Sequence, residues 1–555
     1  MGKIFVTLLL LSLILSIASS IRATSPKNNI WWCNQTPHPE SCEYYTSKTN
    51  NYQEITHKSL FRLMLVQLVL KQVLIMQSEA QDFEQSLKNK KHKALHNDCL
   101  DLYENTIFHL NRTIECMDGK RSCSPVDVQT WLSTAHTNIQ TCQTEATIVN
   151  AVDFKVSKLS NNVTELISSS LAINAGFLKK KANHHHISKG KRKKFPSWVS
   201  SDDRKLLKSR SSINADLMVA KDGSGHFMNI QDAINEAAKR ESKTRFVIYV
   251  KKGTYAENIK VDVNNENIML VGDGMKKTII TGSRSFKSGF RIYYSPTVGK
   301  FHSFIFLFSY FMKLYIKCKM SPCRTIDGSN FIARDISIQN TAGPVMGQAV
   351  ALRSSSDMSV FYHCSIAGYQ DTLYVHAQRQ FYTGCHIYGT VDFIFGDATA
   401  MFQHCVIYAR KPLPKQSNKI TAQGRTNVHK NSGISIQHCR IKAAPDLKPY
   451  VDNVTTFLGR PWKRYARVAI MYTFLDTLVN PKGWSPWNKS DFALDTLYYG
   501  EYKNYGPGSS LSDRVKWPTF HAITSYSEAF PFTIDAFFSD PTLLPTTNVS
   551  ISTGL

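Results

Sequence analysis

The sequence predicts an all-β parallel solenoid from about residue 213 to the C-terminus, preceded by an all-α helical bundle over residues 28–175. Three observations carry this. One strand-like phrase recurs at Val360–Ile366, Gln380–Ile387 and Ala400–Ile407, with its cysteine at 364, 385 and 405. Strands repeating every 20–21 residues with no helix between them mark a chain coiled on itself, one coil per copy. Upstream, apolar residues recur instead in steps of three and four, the helical period. Between the two textures lies a charged stretch with little to bury.

At 555 residues, 42% hydrophobic and 20% charged, the chain has material for more than one core. It opens as a secretory signal peptide, residues 1–22: Lys3 is followed by the apolar run Ile4–Ala18 and then by Ser19 and Ser20. That run is shorter than the ~20 residues a spanning helix needs, so no stable membrane span is expected. Sequons at Asn34, Asn111, Asn162, Asn453, Asn488 and Asn548 agree with a secreted, extracellular protein. The net charge of +25 suits a polyanion, and secretion argues against nucleic acid as that partner. Twelve cysteines have an oxidising compartment in which to pair. Cys33 and Cys42 are close in sequence, as are Cys116 and Cys123, and no tight Cys pairs suggest zinc.

In Trp131–Val149, Leu132, Ala135, Ile139, Cys142, Ala146 and Val149 form one apolar seam on a helix. Leu60–Met76 reads as a buried helix. Bundle core is the expected role of these residues, with no catalytic grouping among them. Residues 176–212 read as a solvated basic linker, with twelve Lys and Arg between 179 and 210 against Asp202 and Asp203, and with His184–His186. Its Arg204–Leu207 segment reads as a processing site, because basic residues in an exposed linker are easily cut.

Within the solenoid, Gly433–Ile441 is a further copy of the phrase and Phe331–Asn340 an earlier one without the cysteine. A leucine-rich repeat would need a leucine consensus that is absent, and an antiparallel sandwich would need hairpin turns that are scarce. Asp371, in Gly368–Tyr374, and Asp392, in Gly389–Gly396, lie 21 residues apart, one coil. Backbones of adjacent coils run ~4.8 Å apart, so the two carboxylates are expected one above the other with their pKa values driven apart. One then suits a proton donor and the other a nucleophile or base. A single aspartate would read as a turn cap. A pair in aromatic text beside Gln370, Phe393 and Phe395 is costly to bury unless it has a use or a cation. Arg460, in Gly459–Trp462, is such a cation, and Trp462 offers a flat face for a sugar ring. Side-chain amides at Gln348, in Gln348–Arg353, and Gln370 suit an oxyanion.

Gly253–Glu257, Gln348–Arg353, Tyr369–Tyr374, Gly389–Gly396, Leu458–Trp462 and Asp495–Glu501, in this order, resemble the plant pectin methylesterases. Asp98–Tyr103 and Gln129–Ser133 resemble the pectin methylesterase inhibitor domain carried as a pro-region in one branch of that family. The resemblance implies a right-handed parallel β-helix of the pectin lyase-like kind (213–555) behind a four-helix bundle (28–175), with no cofactor and no metal. It implies that Asp392 attacks the methyl ester of galacturonate, that Gln348 and Gln370 stabilise the anionic intermediate, and that Asp371 protonates methanol and then activates water. Arg460 would orient Asp392, and Phe395 and Trp462 would contact the sugar chain. Gln348 and Arg460 would bind substrate as well. Disulfides Cys33–Cys42 and Cys99–Cys142 are implied, a Cys364–Cys385 bridge is suggested by matching places on adjacent coils, and Arg204–Leu207 would be the pro-region cleavage site. The expected partners are cell-wall pectin, the chain's own pro-domain, inhibitor proteins and a processing protease.

Residues 291–324 depart from this pattern: Phe301–Cys318 is as apolar as a membrane segment, yet carries Lys313 and Lys317, and Cys318 and Cys323 have no family counterpart. Other readings are a polygalacturonase or lyase, for which the paired-Asp and calcium-binding motifs are missing, and a catalytically impaired homologue acting as inhibitor or wall-binding protein. Against the latter stand both aspartates, both glutamines and Arg460. The atypical segment reads as unspliced non-coding sequence or an error in the gene model. Sequencing the transcript is expected to recover messages without these codons; messages that all contain them would sink this reading.

Overall fold

The structure is a computed structural model in which residues 28–48, 57–83, 90–148, 157–178, 195–209, 214–263, 265–297, 328–488 and 490–538 are described. Residues 1–22, His184–His186, Cys318, Cys323 and Asn548 lie outside them.

Helices α1 (Asn28–Cys33) and α2 (Pro39–Ser47) precede four long ones: α3 (Lys58–Phe83), α4 (Lys90–Met117), α5 (Pro125–Ile148) and α6 (Ser157–Leu178). Each long helix packs on the next and α6 returns to α3, which closes a four-helix bundle. Helix α3 is apolar and long enough to cross a membrane, but Phe61, Leu65, Val69, Val73 and Met76 fill the bundle core. Disulfides Cys33–Cys42 and Cys99–Cys142 are present, and a third, Cys116–Cys123, closes the turn between α4 and α5.

The second unit is a parallel β-helix. Its strands fall into sheets of eleven, eight and five strands, each made of one strand from successive coils. The first sheet takes, among others, β6 (Ile332–Arg334), β9 (Ser359–Tyr362), β12 (Arg379–Thr383), β15 (Thr399–Gln403) and β18 (Gly433–Gln437). The second takes β7 (Ser337–Asn340), β10 (Ser365–Ala367), β13 (His386–Gly389), β16 (Val406–Ala409) and β19 (Arg440–Ala443). The third, which shapes the site described below, is β8 (Leu352–Ser354), β11 (Leu373–Val375), β14 (Ile394–Gly396), β17 (Asn418–Gln423) and β20 (Thr456–Gly459).

Six successive coils turn the corner between the first two sheets through one left-handed residue: Asp335, His363, Gly384, His404, His438 and Tyr472 in turn. In-register pairing then stacks like on like. Phe361, Tyr382 and Phe402 form an interior pile with ring centroids 4.7 Å apart at each step, the strand spacing itself.

The same stacking corrects one expectation. Cys364 and Cys385 are buried free thiols, as are Cys405 and Cys439. They occupy one inward position on successive coils, and each thiol turns to a backbone carbonyl: Cys364 to Tyr362 at 3.5 Å, Cys385 to Phe361 at 3.3 Å, Cys439 to Gln437 at 3.2 Å. Burial pushes the Cys364 and Cys405 thiols well above the ordinary range, which makes them poor nucleophiles.

Two further segments differ from the sequence reading. The end of the basic linker is folded, not solvated: Ser201–Lys208 is a helix, α7, lying on the first sheet with Phe195, Val199 and Leu207 buried. Its alternation of exposed charge with apolar anchors is an amphipathic pattern too short to stand out within a run of Lys and Arg. The start of the atypical segment, Arg291–Thr297, is part of the enzyme body. Tyr293 and Tyr294 are buried, and Thr297 exchanges backbone hydrogen bonds with Ile259 (3.0 Å) and Val350 (3.2 Å).

Alkylation of the unfolded, unreduced protein is expected to label the peptides containing Cys364 and Cys385 and to leave those containing Cys33, Cys42, Cys99 and Cys142 unlabelled. Recovery of a linked Cys364–Cys385 peptide would overturn the free-thiol assignment.

Candidate active site

The third sheet begins where each coil leaves the second, and Asp371 and Asp392 stand at that corner on consecutive coils. Strands β11 and β14 pair Leu373 with Ile394 and Tyr374 with Phe395, so position 371 is in register with 392. Backbone hydrogen bonds on either side hold the match: Asp371 N–H to Val391 carbonyl (3.0 Å) and Leu373 N–H to Phe393 carbonyl (2.8 Å). Both aspartates are left-handed, with φ of 59° and 52°, a strained state for a side-chain-bearing residue that turns both carboxylates out of the coil at the same place. Both are 7% exposed.

Arg460 follows β20, whose Gly459 is in register with Thr421 of β17. A Cβ on Gly459 would collide with Thr421 Oγ1, so only glycine allows this close approach. The Arg460 guanidinium grips Asp392 with both arms, Nε to Oδ1 at 2.8 Å and Nη2 to Oδ2 at 2.5 Å. This bidentate geometry fixes the carboxylate's plane. Among the described residues, Asp371 has no such partner. Burial, and then the Asp392 carboxylate beside it, push its carboxyl well above the usual range, with Arg460 opposing. The environments of the two aspartates thus differ as acid and base chemistry requires.

Gln348, on the coil before, and Gln370, beside Asp371 on its own coil, are half-buried. Their backbone carbonyls are tied, Gln348 by Phe286 N–H (2.8 Å) and Gln370 by Ala349 N–H (3.2 Å). Phe395 stacks on Tyr374 at 4.4 Å, and Trp462 meets Phe395 edge-on at 5.8 Å. Every site residue the sequence singled out therefore sits on or beside the third sheet. Two neighbours went unsingled. The Trp487 ring lies 4.2 Å from the outer face of the Arg460 guanidinium. Lys419 lies close enough to Arg460 and Asp392 to feel both charges, and burial, with Arg460, lowers its pKa. Neither has a local sequence signal: Trp487 is brought in by the bridge of Gly459 with Trp484, a tertiary contact. Among the described residues, no three His, Cys, Asp or Glu side chains converge as metal ligands.

The bundle lies over this sheet. One face of α5 is the expected seam, with Leu132, Ala135, Ile139 and Cys142 buried in the bundle. The other face meets the enzyme. Thr137 donates to Asp397 Oδ2 (2.9 Å), Thr141 pairs with His376 Nε2 (3.0 Å), and Lys463 donates to Thr144 (3.1 Å). Around them, Arg379 bonds Asp127 (2.8 Å), Tyr294 donates to Asp101 (2.7 Å), and Arg291 pairs with Asp98. Tyr374, Phe395 and Ala422 of the third sheet share one apolar cluster with the bundle core. Glu145 of α5 is buried in a crevice with Tyr374, Trp462 and Lys463, and its Oε2 has no hydrogen-bond partner among the described residues. Burial raises its pKa to about 7 although it accepts the Tyr293 N–H, and its charge also acts on Asp371. A sequence signal for this second buried face existed: from Val128 to Thr144 the helix carries no Lys, Arg, Asp or Glu.

Comparison with known proteins agrees with this architecture. The pectinesterase family model matches residues 216–309 and 315–541, and the plant invertase/pectin methylesterase inhibitor model matches residues 30–173. Pectinesterase 2 of Citrus sinensis is 46% identical over 549 residues, covering 99% of each chain. The Arabidopsis thaliana protein named probable pectinesterase/pectinesterase inhibitor 59 is 45% identical over 553 residues, 98% of this chain and 97% of that one. The solved pectin methylesterase from carrot is 45% identical, with a TM-score of 0.54, and covers 60% of this chain and 97% of its own. The chain therefore belongs to the pectinesterase family, a carboxylic ester hydrolase whose β-helix follows a pectin methylesterase inhibitor domain.

Proposed function

We propose that this protein is secreted to the cell wall and there hydrolyses the methyl esters of homogalacturonan, releasing methanol and leaving pectate. The observation that carries this reading is the in-register pair of aspartates, one gripped by Arg460 and the other with its pKa raised by burial. Asp392, aimed by Arg460, attacks the ester carbonyl and forms an acyl-enzyme. The carbonyl oxygen becomes an oxyanion that the side-chain amides of Gln348 and Gln370 bind. Asp371 gives its proton to the leaving methoxide, so methanol departs. Asp371, now ionised, takes a proton from water, and the hydroxide frees Asp392 and releases the galacturonate carboxylate. Phe395 and Trp462 present aromatic faces to the sugar chain. The product polyanion suits a protein of net charge +25.

The pro-domain acts on the same site as a cover. Helix α5 occupies the ground above Tyr374 and Trp462 that a polysaccharide would need, and Glu145 lines the same crevice. The uncut chain is therefore held silent until the cover leaves.

Asp392→Ala in the cleaved protein is expected to lower methanol release from methylated pectin at least about a thousandfold. A fully active variant would falsify the assigned nucleophile. The cover should also depend on pH. Docking raises the Glu145 pKa from 4.5 to about 7, so its contribution is fully present below about pH 4.5 and is lost as pH rises through 7. Burial lowers the pKa of His109, His136 and His376 at the same seam, so their contribution is lost instead as pH falls below their ordinary value of 6.5. Glu145→Gln isolates the first effect. At pH 8 the uncut variant should release less methanol than the uncut parent, and at pH 4 the two should match. Equal rates at both pH values would remove Glu145 from the control of docking.

A further inference from the structure

Helix α7 carries the Arg204–Leu207 segment, and its setting differs from that of an easily cut linker. The side chains of Arg204 and Lys205 are exposed, but the peptide bonds beside them are helical and held at both ends. At the N-terminus, Ser200 Oγ accepts the Asp203 N–H at 3.0 Å. The next turn is tied by Asp203, whose carboxylate meets Arg245 at 2.8 and 3.1 Å, with the pair largely out of water. Arg245 in turn donates to the Asn330 carbonyl at 2.5 Å. At the C-terminus, Arg334 on β6 clasps the carbonyls of Leu206 and Ser209 with its two terminal nitrogens. A guanidinium there also complements the negative end of the helix. Leu207 is 1% exposed.

The bed under α7 is built from distant parts of the chain. Phe195 lies 6.2 Å from Phe381, and Trp198 meets Phe538 edge-on at 4.5 Å. The same cluster contains Ile332, Val360 and Phe381 of the first sheet and Phe532 and Phe537 near the C-terminus. The seat is complete only when residues 530–538 have folded onto that sheet.

A protease binds its substrate as an extended strand, so a bond inside a docked helix is cut only through local unfolding. We propose that α7 is a clasp that withholds the Arg204–Leu207 bonds from proteolysis until it leaves the β-helix, with Arg245, Arg334 and the Trp198–Phe538 contact as its fastenings. This rests on the reading of Arg204–Leu207 as the point of pro-domain release. Release is then set by the opening of α7 as well as by the presence of a protease, and a chain whose C-terminal segment has not folded is cut early.

Trypsin is the probe, applied to the full chain, with cleavage after Arg204 and Lys205 followed by mass spectrometry. A synthetic peptide spanning residues 196–209 is the unprotected reference. The parent should be cut at least about a hundredfold more slowly than the peptide, and Arg334→Met and Phe538→Ala about tenfold faster than the parent. Arg334→Lys, which keeps one donor, should fall between. A parent cut as fast as the peptide would overturn the clasp. So would variants cut at the parent's rate, or variants in which cleavage within helices α3–α6 speeds up equally, since that is general loosening. N-terminal sequencing of the secreted protein tests the processing reading separately. A mature terminus far from 204–207 ends that reading and leaves the trypsin result to judge the clasp.

Discussion

Parallel hydrogen bonding between successive coils is the constraint on which this molecule is built. Each strand sits one spacing, ~4.8 Å, above the last and in register with it, so a residue's chemistry is set against whatever occupies the same place one coil away. Where that residue is apolar the result is stacking, as in the Phe361–Tyr382–Phe402 pile. Where it is aspartate the result is two carboxyls forced together at 371 and 392. The ladder leaves them no freedom to separate, and their environments diverge: Arg460 binds one, and burial raises the pKa of the other. The left-handed backbone at both positions is a local strain that the flanking ladder bonds hold in place.

The seam between bundle and β-helix is chemically different from either core. On α5 it is made by the hydroxyls of Thr137 and Thr141 beside the Arg379–Asp127 ion pair, and burial lowers the pKa of the His376 that Thr141 meets. Hydroxyls lose little on returning to water, so such a seam is specific without being permanent. Glu145 is the discordant group, a carboxyl with one oxygen unpartnered, next to a site that already holds two acids.

Legibility followed the range of the interactions. The solenoid, the aspartate pair and Arg460 could be read because repeats and motifs are local patterns, and the bundle disulfides Cys33–Cys42 and Cys99–Cys142 followed from the family resemblance. The readings that failed share one cause. Equal spacing of Cys364 and Cys385 shows that they stack but not whether their sulfurs bond, and here both are free thiols that also reach backbone carbonyls. The basic linker looked solvated because Arg245, Arg334 and Phe538, which give α7 its seat, lie up to hundreds of residues away. Trp487 is held against Arg460 by a loop bridge that no local pattern announces.

By itself, the sequence determined the period, and the period determined that 371 and 392 meet, because coil length is a count of residues. It also determined that one helix face from 128 to 144 carries no charge, since composition is local. Only the tertiary structure decided what covers that face, which thiols stay free, and that Arg204–Leu207 is folded onto the β-helix. Those outcomes depend on how two finished surfaces fit, and shape complementarity between segments far apart in the chain leaves no mark in either segment alone.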